Sequence, residues 1–452
     1  MRQLLMKQFG VWILAAFGTV WAQDPRTEIT KWQDGKQACV SLTFDDSSIN
    51  QFRIDMPLLN ERGLPGTFFI ETGNIVGSRY RPAFAGRPIM DIIRQSEKVP
   101  TTKENALERT SLLNYLRTVQ QVPEISEFNA QRLGRLIRQN DWVELGKTVD
   151  GFMANLRRTG KTYAAEGVTR PPSTFPDRTS WDDLRRYAAL GHEFANHSIT
   201  HPFMPALDEA NIVYEIEKSN TDILEQLGPR HTFSIEAPYG IDDPRVSKPI
   251  TTRFPIARNW VLDGFMDGIL RGDKRDPRQS TRQYMQWQRG PAATTTVDEM
   301  KGWVNTSLET GIWLVLVFHG IEGIGYEALP TEVVRSYFDF IREQQTRVWV
   351  ATYQDGAKYA RERHSSSVVS KRSGDAIEVT VTQTLDPKLY DLPLTAKTTL
   401  PADWQVVRFR QGNETRWLPI HREGGETFVL YRIAPNGVAA TLERGFNGRR
   451  TQ

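Results

Sequence analysis

The stretch Ala38–Phe44, Ala-Cys-Val-Ser-Leu-Thr-Phe, is followed at once by Asp45 and Asp46, and it decides how this sequence folds. A largely apolar run of this length predicts a strand that is buried on both faces. Thr67–Ile70 predicts a second strand, and the helical spacing of Ile54–Arg62 separates the two. A strand, a helix and a strand in this order predict a parallel βαβ unit.

Three further segments predict strands of the same sheet, at Glu193–Asn196, Trp313–Phe318 and Val348–Ala351. The unbroken apolar run 313–318 is typical of a parallel strand covered on both sides. Alternating strands and helices predict an α/β fold for residues 23–77 and 173–363 together.

Two regions depart from this alternation. Residues 78–172 contain three helical stretches, at 103–121, 126–139 and 141–158, and we interpret them as a helical insertion. It could cap an active site, bind a partner or be a decoration of the fold. Residues 364–452 alternate in hydrophobicity after a run of serines at 365–367, which predicts a linker and a small C-terminal β-sandwich-like domain.

Residues 1–22 have the pattern of a secretory signal peptide. Arg2 and Lys7 precede a short apolar core, and Val20–Ala22 offers a cleavage site. The alternative is an uncleaved N-terminal anchor. We expect a secreted or periplasmic protein with no transmembrane segment in the mature chain.

Net charge and cysteine content reduce the range of possible functions further. Without Arg2 and Lys7 the net charge falls from +3 to +1, which gives no support for nucleic-acid binding. Cys39 is the single cysteine, so no disulfide can form within the chain. Its place on a predicted buried strand favours a packing role.

Two short motifs carry the candidate chemistry. Asp45 and Asp46 follow the first predicted strand, at the end where barrel enzymes place functional groups. His197 and His201 are four residues apart, so one helical turn could direct both at one ion. An Asp with two His makes a three-ligand metal site that leaves a position open for water.

These motifs resemble the first two motifs of the polysaccharide deacetylase family, also called the NodB homology domain or carbohydrate esterase family 4. Later segments resemble the remaining motifs in the family's order: Ala237–Gly240 the third, Asn259 to Asp267 the fourth and Leu316–His319 the fifth. The resemblance covers roughly residues 36–77 and 176–363. It implies a distorted (β/α) barrel that holds one divalent metal, usually Zn²⁺.

The resemblance also implies roles for individual residues. Asp46, His197 and His201 would bind the metal. Asp45 would be the general base and His319 the general acid. The backbone N–H of Tyr239 would stabilise an oxyanion, and Pro238, Tyr239 and Trp260 would contact substrate.

One position departs from the family's pattern. The third motif often carries Arg two residues before its proline, and Glu236 stands there in this sequence. Either Arg245 or Arg258 supplies the missing cation, or the groove wall differs. His319 also needs an orienting carboxylate, for which Asp263 or Asp267 could serve, with Asp263 preferred.

We therefore expect a metal-dependent carbohydrate deacetylase that hydrolyses N-acetyl groups of a glycan containing N-acetylglucosamine. An O-acetyl esterase of acetylxylan type is an alternative on the same site. A cyclic amide hydrolase is disfavoured because such proteins usually lack the full metal triad. The alternative from another class is a non-catalytic glycan-binding protein. The expected partner is an acetylated polysaccharide or oligosaccharide.

Overall fold

The computed structural model describes residues 25–163, 178–240, 243–260 and 263–445. The predicted signal peptide lies outside these residues. The first ten strands are β1 (Thr27–Ile29), β2 (Ala38–Phe44), β3 (Thr67–Ile70), β4 (Glu193–Asn196), β5 (Ser234–Ile235), β6 (Ile256–Ala257), β7 (Met266–Ile269), β8 (Tyr284–Arg289), β9 (Trp313–Phe318) and β10 (Val348–Val350).

Strands β2 to β10 form one curved parallel sheet in the order β6-β5-β4-β3-β2-β9-β8-β7. The register of the central strand distorts the barrel: β2 pairs with β9 over most of its length, with β10 at Ala38–Val40 and with β3 at Thr43–Phe44. This confirms the predicted fold class, a distorted (β/α) barrel. Phe44 pairs with Phe318, so β2 and β9 end side by side, and β3 continues two residues beyond Phe68.

Helices cover the outside of the sheet and form the insertion. They are α1 (Met56–Arg62), α2 (Ile89–Gln95), α3 (Lys103–Thr118), α4 (Glu127–Arg138), α5 (Trp142–Thr159), α6 (Trp181–Ala188), α7 (Glu209–Leu227), α8 (Pro244–Thr251), α9 (Val297–Thr310), α10 (Thr331–Glu343) and α11 (Tyr353–Ser365). A π-helical turn, Gln51–Asp55, leads into α1. Helices α2 to α5 share their own apolar core, as a separate folding unit requires.

Both faces of β2 are buried, and they pack against different layers. Val40, Leu42 and Phe44 join the core beneath the outer helices α1, α9 and α10. Cys39, on the opposite face, joins the core that includes residues of α11. Burial raises the pKa of the Cys39 thiol, which agrees with the predicted packing role.

The C-terminal strands are β11 (Ser367–Ser373), β12 (Ala376–Thr382), β13 (Leu394–Thr399), β14 (Val407–Gln411), β15 (Glu414–Leu418), β16 (Ile420–Glu423), β17 (Glu426–Ile433) and β18 (Ala440–Arg444). They form two antiparallel sheets, β11-β12-β18-β14-β15 and β1-β13-β17-β16. The sequence pattern did not reveal that β1 pairs with β13, because this pairing joins segments more than 360 residues apart.

The predicted linker at 365–367 is wrong. Helix α11 ends at Ser365 and β11 begins at Ser367, so the C-terminal sheets follow the barrel directly. Tyr359 of α11 accepts a hydrogen bond from the Thr395 amide of β13 and lies within hydrogen-bond distance of Thr30 Oγ1. Leu394 and Tyr359 belong to one apolar core, which fixes the C-terminal domain against the barrel.

Within the four described segments, every helix falls short of the length and apolarity that a bilayer crossing requires.

Candidate active site

The candidate site residues occupy the first position after five different strands. Parallel strands present their carboxyl ends at one edge of a sheet, so these residues converge there. They are Asp45 after β2, His197 after β4, Glu236 after β5, Arg258 after β6 and His319 after β9.

Asp46, His197 and His201 form a cluster with metal-ligand spacing, and their ligand atoms all lie within 4.8 Å of one another. Asp46 Oδ1 is 3.4 Å from His197 Nε2 and 3.3 Å from His201 Nε2. A tetrahedral zinc ion with bonds of about 2.1 Å has ligands ~3.4 Å apart. The two imidazoles and the carboxylate therefore fit a zinc-like ion. The two imidazoles also hold the pKa of Asp46 well below its usual range, against the effect of its burial.

Hydrogen bonds to neighbouring residues orient the two histidine ligands. His197 Nδ1 lies 2.8 Å from the carbonyl oxygen of Glu236, which fixes this nitrogen as the N–H donor and leaves Nε2 for a metal. His201 receives support through its amide, which donates to Ser198 Oγ at 3.0 Å.

The two histidines do not share a helical turn, which corrects the prediction. Residues 197–203 form a loop after β4, in which Ser198 and His201 have φ of 67° and 55°. Buried Glu215 of α7 holds the loop by accepting hydrogen bonds from the amides of Ile199 and Thr200 and from the Thr200 hydroxyl. Left-handed residues other than glycine are strained, and such strain persists where the surrounding contacts fix it.

Asp45 is buried and binds Arg258 through both of its oxygens. Arg258 Nη1 donates to Oδ1 at 2.8 Å, and Nη2 donates to Oδ2 at 2.5 Å. Burial alone would raise the pKa of Asp45, but the charge and hydrogen bonds of Arg258 outweigh it and lower the pKa. Arg258 therefore supplies the cation that the third motif lacks. Arg245 does not, because it binds Asp243 and the carbonyls of Pro205 and Leu207.

Glu236 lies on the far side of Arg258. Its Oε2 is 3.5 Å from Arg258 Nε, and its Oε1 accepts from Asn259 Nδ2 at 2.5 Å. Burial raises the pKa of Glu236 to about 7, although Arg258 opposes the shift. Arg258, the residue after β6, thus places its guanidinium beside Asp45, and Glu236 contacts the same guanidinium from the other side.

His319 faces Asp45, with Nε2 3.8 Å from Asp45 Oδ2. Burial lowers the pKa of His319, and the charge of Asp45 opposes that shift. Gln51 Nε2 donates to the carbonyls of Asp45 and His319 at 2.5 and 2.6 Å, which ties the two strand ends together.

The predicted orienting partner of His319 is wrong. Asp263 binds Arg361 at 2.7 Å, and Asp267 lies 3.6 Å from Arg275. Among the described residues, none forms a hydrogen bond with the buried Nδ1 of His319. The sequence pattern could not separate these carboxylates, because proximity in the chain does not fix direction.

Of the three predicted substrate contacts, Pro238, Tyr239 and Trp260, only Tyr239 lines the cleft. Tyr239 has φ of 66°, its ring centroid lies 4.7 Å from that of His201, and its hydroxyl donates to Glu127 at 2.8 Å. Pro238 is buried while its neighbours line the cleft. Trp260 is 8% exposed within the apolar core beneath α8, so it has no free face for a sugar, which corrects the prediction.

A cleft of about 990 Å³ opens over these groups. Sequence reasoning missed several of its walls, which come from distant segments: Glu71, Glu127, Gln131, Arg271, Asp273 and Tyr326. Arg271 forms an ion pair with Glu327, and Tyr326 contacts His319 edge-on with ring centroids 5.3 Å apart. No periodicity or motif in the sequence marks these aromatic and charged residues.

Comparison with known proteins gives a family match. The model described as "Polysaccharide deacetylase" matches residues 154–251, which include His197, His201 and the segment around Tyr239. A chitooligosaccharide deacetylase from Sinorhizobium fredii is 31% identical over 80 residues, or 18% of this chain and 37% of that protein. A gellan lyase from Bacillus sp is 23% identical over 279 residues, or 58% of this chain and 11% of that protein.

Solved structures are similar at low identity. A putative polysaccharide deacetylase from Mycobacterium smegmatis has 13% identity and a TM-score of 0.37, and the match covers 75% of this chain and 94% of that one. The carbohydrate deacetylase Agd3 has 10% identity and a TM-score of 0.39, with 91% of this chain and 65% of that one covered. The two curated relatives are much longer than the matched regions: the chain spans 37% of the chitooligosaccharide deacetylase and 11% of the gellan lyase.

Proposed function

We propose that this chain, a member of the polysaccharide deacetylase family, is a metal-dependent deacetylase that hydrolyses N-acetyl groups of a glycan containing N-acetylglucosamine. One observation carries the proposal. A three-ligand site, Asp46, His197 and His201, adjoins a buried carboxylate, Asp45, that is not itself a ligand. The match to a chitooligosaccharide deacetylase favours the amide over the ester.

Asp46, His197 and His201 would hold the ion, and one oxygen with two imidazole donors suits Zn²⁺. When bound, such an ion polarises a carbonyl oxygen and lowers the pKa of water. The donation of His197 Nδ1 to Glu236 keeps this ligand in the tautomer that the site requires.

Asp45 is the proposed general base. Its carboxylate is kept ionised by Arg258 and turned towards the cleft that also exposes Asp46. An ionised carboxylate at this position can accept the proton of an attacking water. Since Arg258 occupies both oxygens, the base is held in one orientation, which reduces the entropy cost of the attack.

His319 is the proposed general acid. It lines the same cleft from the neighbouring strand end, 3.8 Å from Asp45. A protonated imidazole there can donate to the leaving nitrogen as the C–N bond breaks, and acetate and a free amine result. Asp45 and His319 thus take opposite roles on adjacent strand ends.

The backbone amide of Tyr239 is the proposed oxyanion donor. Its left-handed conformation is held by the ring contact with His201 and by the hydroxyl bond to Glu127. A fixed amide at the edge of a polar cleft can stabilise the charge that develops on the acetyl oxygen without reorganising.

We also propose that the protein is exported. The charged residues Arg2 and Lys7, the short apolar core that follows and the site at Val20–Ala22 support it. N-terminal sequencing of protein recovered from the medium or periplasm should begin near Gln23. An intact N-terminus in a membrane fraction would instead support an anchor.

Acetate release tests the function. Purified protein should carry zinc and release acetate from chitooligosaccharides, with peptidoglycan and acetylxylan as comparison substrates. Asp45→Asn should retain zinc and lose activity, because the residue is not a ligand. If wild type binds no metal, or if it and Asp45→Asn release acetate equally from every glycan, the proposal fails. Preference for acetylxylan would convert it to the ester alternative.

A further inference from the structure

We propose that helix α4 of the insertion forms a sugar-binding subsite beside the metal centre, so that the protein acts on a glycan chain of several units rather than on a single sugar. This inference rests on the proposed function and deepens it. Three observations carry it: the packing of α4 on the metal-ligand loop, the polar residues that α4 adds to the cleft, and an exposed aromatic ring next to them.

Helix α4 is fixed directly against the loop that carries His201. Ala130 of α4 packs with Phe203 and Ala206 in a small apolar cluster, against which Tyr239 also packs. Gly134 allows the close approach, since a Cβ there would collide with the Phe203 ring and lie 3.3 Å from the Ala206 amide nitrogen. The helix therefore stays at a constant distance from the candidate metal ligands.

One turn of α4 forms part of the cleft wall. Glu127 and Gln131 both line the cleft that contains Asp46 and His201. Glu127 Oε1 accepts hydrogen bonds from Tyr239 Oη at 2.8 Å and from Gln131 Nε2 at 3.2 Å. These groups form a row of donors and acceptors that sugar hydroxyls can join, as polar groups do in ligand clefts.

Phe128 follows Glu127 in the chain and lies outside the cleft lining, further around the helix. With 3.6 residues per turn, the α4 positions 127, 131, 135 and 128 follow one another around the helix from the cleft outward. The Phe128 ring is 65% exposed, so much of its surface is open to a ligand. The Arg135 guanidinium lies 5.6 Å from its centroid, where a cation–π contact can restrict the motion of the ring.

This arrangement matches the chemistry of a sugar ring. The C–H face of a pyranose can stack on the negative face of an aromatic ring, and its hydroxyls can bond to neighbouring amides and carboxylates. The ligand of this subsite is therefore the glycan chain itself, whose next unit lies on α4 when an acetylated unit is at the metal centre. Phe128 and Gln131 act on substrate binding at a distance from the reacting atoms.

Chain-length dependence tests the proposal. For Phe128→Ala and Gln131→Ala, kcat/KM should fall about tenfold on a hexameric chitooligosaccharide and less than twofold on the dimer. That is the size of a lost stacking contact for Phe128 and of a lost hydrogen bond for Gln131. In an Asp45→Asn background, calorimetry should show the same loss in hexamer affinity, independently of catalysis.

Leu190→Ala is the matched control. Leu190 is 64% exposed, and it precedes β4 at the opposite end of the sheet from the cleft. Its kcat/KM on both substrates should equal that of wild type. Equal kinetics for Phe128→Ala, Gln131→Ala and wild type on the hexamer would overturn the subsite. An inactive wild type on both substrates would instead overturn the proposed function.

Discussion

Arg258 binds both carboxylate oxygens of Asp45, although the two residues are 213 positions apart in the chain. Arg258 also lies 3.5 Å from Glu236, the residue that occupies the family's arginine position. Its guanidinium carbon is 4.8 Å from the centroid of the Phe69 ring. The buried arginine is thus enclosed by two carboxylates and one aromatic face, and an arginine from β6 replaces one from the third motif.

This arrangement predicts that Arg258→Lys loses most activity. Lysine keeps the charge but cannot make two parallel hydrogen bonds to one carboxylate, so Asp45 would lose its fixed orientation. We expect kcat to fall about tenfold to a hundredfold while the zinc content stays at the wild-type level. Acetate release and metal analysis on the same preparation measure both quantities.

Arg245→Lys is the control for that substitution, because Arg245 binds Asp243 and backbone carbonyls away from Asp45. Its kcat should stay within about twofold of wild type, as expected for a change outside the reacting groups. A similar loss of kcat in Arg245→Lys and Arg258→Lys would contradict a specific role for Arg258.

The metal cluster predicts a second result, the loss of zinc from His201→Ala. Two ligands remain in that variant, and a structural or catalytic zinc site needs at least three protein ligands. Zinc affinity should fall more than about a hundredfold. His421→Ala should keep full zinc content, since His421 stacks on Phe428 in the C-terminal domain. Stoichiometric zinc in His201→Ala would rule out the proposed ligand set.

The long apolar runs of β2 and β9 made these central strands predictable, and β2 positions Asp45 and Asp46. Strand β2 was predicted with its observed bounds, Ala38–Phe44, and so were β3, β4 and β9. Strands β5 and β6 have two residues each, which is too short for any periodicity to appear. Those two strands place Glu236 and Arg258, so this half of the site was not predictable from pattern.

The direction in which side chains point was the other feature that the sequence could not predict. The spacing of His197 and His201 correctly grouped two candidate ligands, but the helical turn that it suggested is a strained loop held by Glu215. Trp260 and Asp263 fitted sequence motifs, yet one is buried in the core and the other binds Arg361. Whether such a residue faces the cleft depends on packing between segments that are distant in sequence.

The position of Asp263 predicts a third result, that Asp263→Asn leaves catalysis nearly unchanged. Its carboxylate binds Arg361 of α11, which also donates to the Pro255 carbonyl and the Tyr390 hydroxyl. We expect kcat within about twofold of wild type and a loss of unfolding free energy of ~1–2 kcal/mol from the weakened charged hydrogen bond. A drop in kcat of tenfold or more at full folding would restore Asp263 as the partner of His319.

Glu362 predicts a fourth result, that stability falls as pH rises. This buried residue of α11 accepts hydrogen bonds from the Leu392 amide and from Gln383, and its Oε2 has no hydrogen-bond partner in the described part of the chain. Burial raises the pKa of Glu362 from its usual range to about 8. Nearby Lys358 opposes the shift, and Asp391 adds to it.

The sign follows from proton binding. Between about pH 4.5 and 8 the folded state holds the Glu362 proton more tightly than the unfolded state does, so unfolding releases it and stability decreases with pH. The neutral isostere Glu362→Gln should remove this part of the decrease, on the order of 1–3 kcal/mol between pH 5 and pH 9. Urea unfolding at both pH values measures it. Glu378→Gln, on the exposed face of β12, should keep the wild-type slope, and an unchanged slope in Glu362→Gln would show that Glu362 is ionised in the folded protein.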